Sequence, residues 1–148
     1  MVLVIVRLEK GLRGLVERLA SDTDETVSSA ARSLIRIGLG VKRAGGLEIR
    51  GRLGFRRPLA DLDFGGRAER LGIRVEEELL EEVEREFGDV RQGMREAMRL
   101  GAWMLAPGEV KIVGLLGVER PLADVLSPEL RDAKARRELE RLRSLLGG

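Results

Sequence analysis

The sequence has no cysteine and no histidine. The first absence excludes a disulfide framework, and the two together remove the usual ligands of a structural zinc site, so no metal or cofactor is expected. Catalysis would be left to Asp, Glu, Lys or Ser, and these form no set of base, nucleophile and orienting group at a recognisable spacing, so the chain does not read as an enzyme. No apolar run approaches ~18 residues, and no membrane span is expected. Residues 1–8 are apolar but lack a basic leader and run into a helical pattern instead of a small-residue cleavage site, so they do not read as a signal peptide and a cytoplasmic location is expected. Asparagine is also missing, Gln92 is the single glutamine, and Arg far outnumbers Lys. Few thermolabile amides beside many Arg and Glu fit a thermophile, although a GC-rich genome gives the same Arg bias.

What is present is charge, unevenly placed. The 148 residues are 35% charged and 43% apolar with a net charge of only +2, which fits one domain or two very small ones. Yet Lys42, Arg43, Arg50, Arg52, Arg56 and Arg57 face only Glu48 within residues 42–57, while residues 76–89 are strongly acidic. Blocks of opposite sign imply one face for an anionic partner and another for solvent or protein.

An internal repeat organises the chain. The motif L-G-x-x-R-P-L-A-D begins at Leu53 and again at Leu116, an offset of 116 − 53 = 63. The same offset pairs Gly38 with Gly101, Arg36 with Arg99, Arg32 with Arg95 and Val27 with Val90. Nearer the N-terminus it becomes 67, pairing Arg7 with Arg74, Leu8 with Val75, Leu12 with Leu79 and Val16 with Val83. The four-residue difference falls in residues 21–25, a polar stretch that reads as a loop. The chain therefore divides into a first repeat at 1–64, a second at 65–126 and a tail at 127–148, with Gly65-Gly66 at the joint.

Each repeat opens on a β-strand, residues 2–8 and 70–75, rich in Val and Ile. In the first, Leu8, Leu12, Leu15, Val16 and Leu19 then give one face of a helix. Thr26 or Ser28 caps a second helix that buries Val27, Ala31, Leu34 and Ile35 and runs through Leu39, where Gly38 or Gly40 stops it. In the second repeat a helix over 76–87 buries Leu79, Val83 and Phe87, and another starting at Asp89 buries Val90, Met94, Ala97 and Met98. By alternation Val4, Val6 and Leu8 face the core with Leu71, Ile73 and Val75. Leu3, Ile5 and Arg7 face outward with Arg70, Gly72 and Arg74.

The stretches VIVRLEKGLRGLVERLASDTDETVSSAARSLIRIGL and GIRVEEELLEEVEREFGDVRQGMREAMRLG share [IV]-R-[LV]-E-x-x-L-x-x-[LV] followed by [TD]-V-x-x-x-x-R. In this the chain resembles the ribbon-helix-helix family of DNA-binding proteins, and its tandem form resembles regulators of archaeal viruses and plasmids. One departure is Glu9 and Glu76, where the family usually has Pro or Ser after the strand; a carboxylate is tolerable there because the helix dipole favours it. The resemblance implies an α+β fold in which two fused strand-helix-helix units form an intramolecular pseudo-dimer, since a lone strand leaves its backbone unpaired. It implies sequence-specific binding of double-stranded DNA and transcriptional repression, with the paired strands in the major groove. Leu3, Ile5, Arg7, Arg70, Gly72 and Arg74 would then read bases. Thr26, Val27 and Ser28, with Val90, Arg91 and Gln92, would anchor phosphates.

Several positions have a second reading. Leu3 and Ile5 suit thymine methyls but equally a protein surface, which would make the chain a protein-interaction, antitoxin-like or architectural module. Thr26 and Asp89 suit plain helix caps, and Asp89 would repel a phosphate. The unlike strands predict a non-palindromic site, strict in one half and lax in the other. The repeated module at 47–62 and 110–125 reads as a short strand, with Gly51 and Gly114 at a bend and Pro58 and Pro121 opening a helical turn. Its basic residues are not repeated, which favours packing or assembly over DNA contact. The tail reads as a helix from Ser127-Pro128 with Leu130, Leu139, Leu142 and Leu146 in one stripe, and further homo-oligomerisation through it or through the accessory module is the expected partner interaction besides DNA.

Overall fold

Val2–Glu9 forms strand β1 because β-branched residues fill it and nothing in it breaks a strand. It is the first element of a computed structural model that describes residues 1–43, 48–50, 56–58, 64–105, 111–113, 119–121 and 132–147. After β1 come helices α1 (Lys10–Asp22) and α2 (Val27–Arg43), then strands β2 (Glu48–Arg50) and β3 (Arg56–Pro58). The order repeats as β4 (Ala68–Val75), α3 (Glu77–Phe87), α4 (Val90–Leu105), β5 (Lys111–Val113) and β6 (Glu119–Pro121), and helix α5 (Ala133–Gly147) ends it. The fold is α+β. Among the described residues no helix is long and apolar enough to cross a membrane.

The two long strands pair with each other, antiparallel, from Val2↔Val75 to Glu9↔Ala68. One face of this ribbon, through Val6, Leu8, Ile73 and Val75, is buried on the helices. Beneath it α2 crosses α4 at the tightest contact in the core. A Cβ on Gly38 would fall on the backbone carbonyl of Ala97, and one on Gly101 would fall on that of Leu34. Gly38 and Gly101 are repeat equivalents, as are Leu34 and Ala97, so the crossing obeys a local two-fold axis.

These glycines therefore do not stop the second helix, as the sequence had implied. α2 continues to Arg43 because Gly38 is buried in the crossing and Gly40 is buried as well, and packing outweighs glycine's low helix propensity. The polar loop is shorter than residues 21–25: Ser21 and Asp22 complete α1, and the turn is closed by Thr23 and Glu25 amides donating to Leu19 and Ala20 carbonyls. Phe87 is only half-buried, at the end of α3.

The repeat holds in the short strands as well. Glu48↔Pro58 and Lys111↔Pro121 begin two hairpins of identical register, β2–β3 and β5–β6. Pro58 and Pro121 are the last residues of edge strands, where proline is tolerated; the residues after them, where a helical turn was expected, lie outside the described residues. Gly51 and Gly114 lie outside the described residues.

The tail helix is capped by Asp132, whose Oδ1 accepts from the amides of Lys134 at 3.0 Å and Ala135 at 3.2 Å. Ser127, Pro128 and Leu130 lie outside the described residues. Ala135, Leu139 and Leu142 are buried in the common core, while Leu146 stays exposed. Leu139 and Leu142 of the expected apolar stripe are therefore covered within the same chain. Polar contacts fix the helix along α2: Arg43 reaches Asp132 at 2.7 Å, and Arg141 reaches Glu25 at 2.7 Å and the Ser33 hydroxyl at 3.0 Å.

Candidate nucleic-acid interface

The outer face of the ribbon carries all six residues that alternation assigned to it. Leu3 stands opposite Arg74, Ile5 opposite Gly72 and Arg7 opposite Arg70. Leu3 is 59% and Ile5 52% exposed, and Met1 at the strand's beginning is 71% exposed. Gly72 leaves the space that Leu3 leans towards: its Cδ1 lies 3.3 Å from where a Cβ would sit.

The backbone behind Arg74 is held from both sides by α2. The amide of Arg74 donates to the Ser28 hydroxyl at 3.0 Å, and the Arg32 guanidinium donates to the Arg74 carbonyl at 2.7 Å. Both groups are thus turned out of the ladder, which makes Leu3↔Arg74 a non-hydrogen-bonded pair, the type in which opposed side chains stand closest. Strict alternation makes Ile5↔Gly72 and Arg7↔Arg70 the same type. The Arg70 carbonyl agrees, accepting from Arg13 at 3.5 Å.

Arg7 and Arg70 are therefore like charges held directly across a ladder, an unfavourable arrangement in the free protein. Among the described residues no carboxylate pairs with the guanidinium of Arg7, Arg70 or Arg74. Several arginines elsewhere are neutralised. Arg43 contacts Glu82, Glu86 and Asp132; Arg13 contacts Glu17 and Glu69; Arg141 contacts Glu25 and Glu138. The acidic block of residues 76–89 is partly absorbed in this way.

Glu9 and Glu76 have a structural reason. Arg99 donates to Glu9 at 2.7 and 3.1 Å, and Arg36 donates to Glu76 at 3.1 and 3.0 Å. Arg36 and Arg99 are repeat equivalents and so are the two glutamates, so each unit sends an arginine to the strand–helix junction of the other. Repetition of both residue types was the signal for this exchange in the sequence. Burial alone would raise the Glu9 carboxyl, but the hydrogen bonds from Arg99 outweigh it, aided by backbone amides including that of Phe64, and hold it below its ordinary value.

The expected phosphate anchors divide. Thr26 Oγ1 caps α2 by accepting from the Ser29 amide at 3.0 Å, while the amides of Val27 and Ser28 are first-turn donors without intrahelical acceptors. Asp89 caps α4, its Oδ1 accepting from the amides of Arg91 at 2.9 Å and Gln92 at 3.4 Å. Those two donors are engaged, while the Val90 amide is a first-turn donor like that of Val27 and the Arg91 side chain is exposed. Gln92 turns its amide group towards Glu96 and Arg95. Arg95, the equivalent of Arg32, keeps its Nε buried without a partner. Sequence reasoning placed neither Arg32 nor Met1 at this face.

No family model, no curated protein and no solved structure matches this chain.

Proposed function

We propose that the chain is a tandem ribbon-helix-helix protein that binds double-stranded DNA, with β1 and β4 inserted together in the major groove. The observation that carries this reading is the exposed ribbon with three guanidiniums that pair with no carboxylate among the described residues, two of them opposed across the ladder. An anion relieves that repulsion, and a major groove supplies it at a width that admits a two-stranded ribbon. The free amides of Val27 and Ser28 at the start of α2 and the Arg91 side chain at the start of α4 supply phosphate contacts beside the groove. Nothing in this reading needs catalysis or a cofactor: occupancy of an operator represses the gene behind it.

The test is a mobility-shift titration of the full chain on the DNA flanking its own gene, with a variant carrying Arg7→Ala, Arg70→Ala and Arg74→Ala. Wild type should form a discrete complex that the variant loses. Equal binding by both proteins would remove the ribbon from the account.

A second reading, a protein-interaction or architectural module, is favoured by the exposure of Met1, Leu3 and Ile5 beside those charges. It predicts no dependence on DNA and little on salt.

A further inference from the structure

The register gives the ribbon a two-fold backbone but not a two-fold set of side chains. With the strand offset of 74 − 7 = 67, Ile5 is the repeat equivalent of Gly72 (5 + 67 = 72), and these two residues are paired, so the local axis passes between them. Rotation about that axis exchanges Arg7 with Arg74 and Leu3 with Arg70. One end of the ribbon thus presents Arg7 and Arg70 side by side. The other presents Arg74 beside Leu3.

This distribution differs from one drawn strand by strand. The guanidiniums are not gathered on β4: the strongest donor cluster combines one arginine from each strand, and charge is kept at both ends by the equivalent pair Arg7 and Arg74. Among the six outward residues and away from the axis, end-to-end symmetry is broken at a single exchanged pair, Leu3 and Arg70, while at the margin of the ribbon Met1 exchanges with Ala68 (1 + 67 = 68). At ~3.3 Å per residue the two ends are about 13 Å apart, or about four base-pair steps at ~3.4 Å each.

Building on the DNA-binding reading, we propose that the ribbon reads a non-palindromic duplex site, strict at the end facing Arg7 and Arg70 and lax at the end facing Leu3 and Arg74. Leu3 and Arg70 are the residues that decide its asymmetry. Arg7 and Arg70 each present a bidentate donor to guanine O6 and N7, so the strict end takes guanine at neighbouring pairs. Arg74 supplies one such contact at the lax end, where Leu3 offers only an aliphatic surface to a thymine methyl. Ile5, on the axis, touches the centre of the site and favours neither end. The side chains of Leu3 and Arg70 both stand in solvent, so each can be exchanged without disturbing the core.

The experiment is selection from a randomised duplex with the full chain, using wild type, Arg70→Leu and Leu3→Arg. Arg70→Leu makes both ends Arg beside Leu, and Leu3→Arg makes both ends Arg beside Arg. Wild type should enrich an asymmetric motif. Leu3→Arg should enrich a palindrome of its strict half, and Arg70→Leu should lose a guanine preference of about 5- to 150-fold at the strict end, leaving two equal weak ends. A palindromic motif from wild type, or the wild-type asymmetry persisting in both variants, overturns the proposal while leaving DNA binding intact. Failure of wild type to retain any duplex overturns the DNA-binding reading itself.

Discussion

Glu9 carries a carboxylate into the interior, its side chain 6% exposed against an Arg99 side chain that is 14% exposed. Its pKa in the folded chain lies below the ordinary value of 4.5, so its stabilising contribution is complete above that pH and is lost as pH falls through the folded value. Glu25, Asp132 and Glu138 shift in the same direction, Glu25 chiefly through its hydrogen bond from Arg141. Acid should therefore unfold the chain progressively below about pH 4.5, and Glu9→Gln should flatten part of that slope in pH-resolved urea titrations. At pH 7 the same substitution should cost about 2–3 kcal/mol, because it weakens a charged hydrogen-bonded pair away from water. Glu76→Gln should cost less than about 1 kcal/mol, since Glu76 and Arg36 are each about a third exposed and solvent screens them. Equal losses at the two sites would show that exposure does not separate these repeat-equivalent pairs.

At the scale of elements, the crossing of α2 on α4 rests on backbone contact that only glycine permits. Gly38→Ala and Gly101→Ala should each destabilise by several kcal/mol, since overpacking costs about 1–3 kcal/mol even where side chains can move, and here the obstacle is backbone. Gly14→Ala is the control: it sits within α1 with nothing near its missing Cβ, and should gain up to about 1 kcal/mol. Thermal unfolding of the three variants checks both statements. Helix α5 belongs to the same chain's core through Ala135, Leu139 and Leu142, so deleting residues 132–148 should lower the melting temperature without changing the oligomeric state. The elements were largely legible beforehand, because period-two and period-3.6 patterns named the faces of β1, β4 and the four body helices correctly. Their ends were not. A glycine that stops a helix and one that lets two helices touch have the same sequence signature, and only the partner helix distinguishes Gly38 from a terminator. The outward residues of the ribbon were legible from alternation, but their pairing was not, because register depends on how two distant segments meet.

For the molecule as a whole, each repeat alone would expose a strand without its partner and the helix surface around Gly38 or Gly101. A fragment of residues 1–64 should be unfolded or self-associated, and a stable monomer with native helix content would contradict that interdependence. If the ribbon engages DNA, log K should fall linearly with log salt at a slope of about −0.9 for each phosphate neutralised. Arg91→Ala should weaken all duplexes alike, since a phosphate contact positions without reading sequence; anisotropy titrations at several salt concentrations measure both effects.

Pairing β1 with β4 inside one polypeptide also changes what dilution does. Two separate chains would assemble such a ribbon with a dissociation constant, and at low copy number they would drift apart and exchange with any related subunit nearby. Here the tether converts assembly into unimolecular folding. The ribbon's formation is therefore first-order, independent of how many molecules a cell contains, and closed to mixed pairs. Each half is also free to diverge from the other, as Leu3 and Arg70 have, because no symmetry of identical subunits forces one substitution to appear twice.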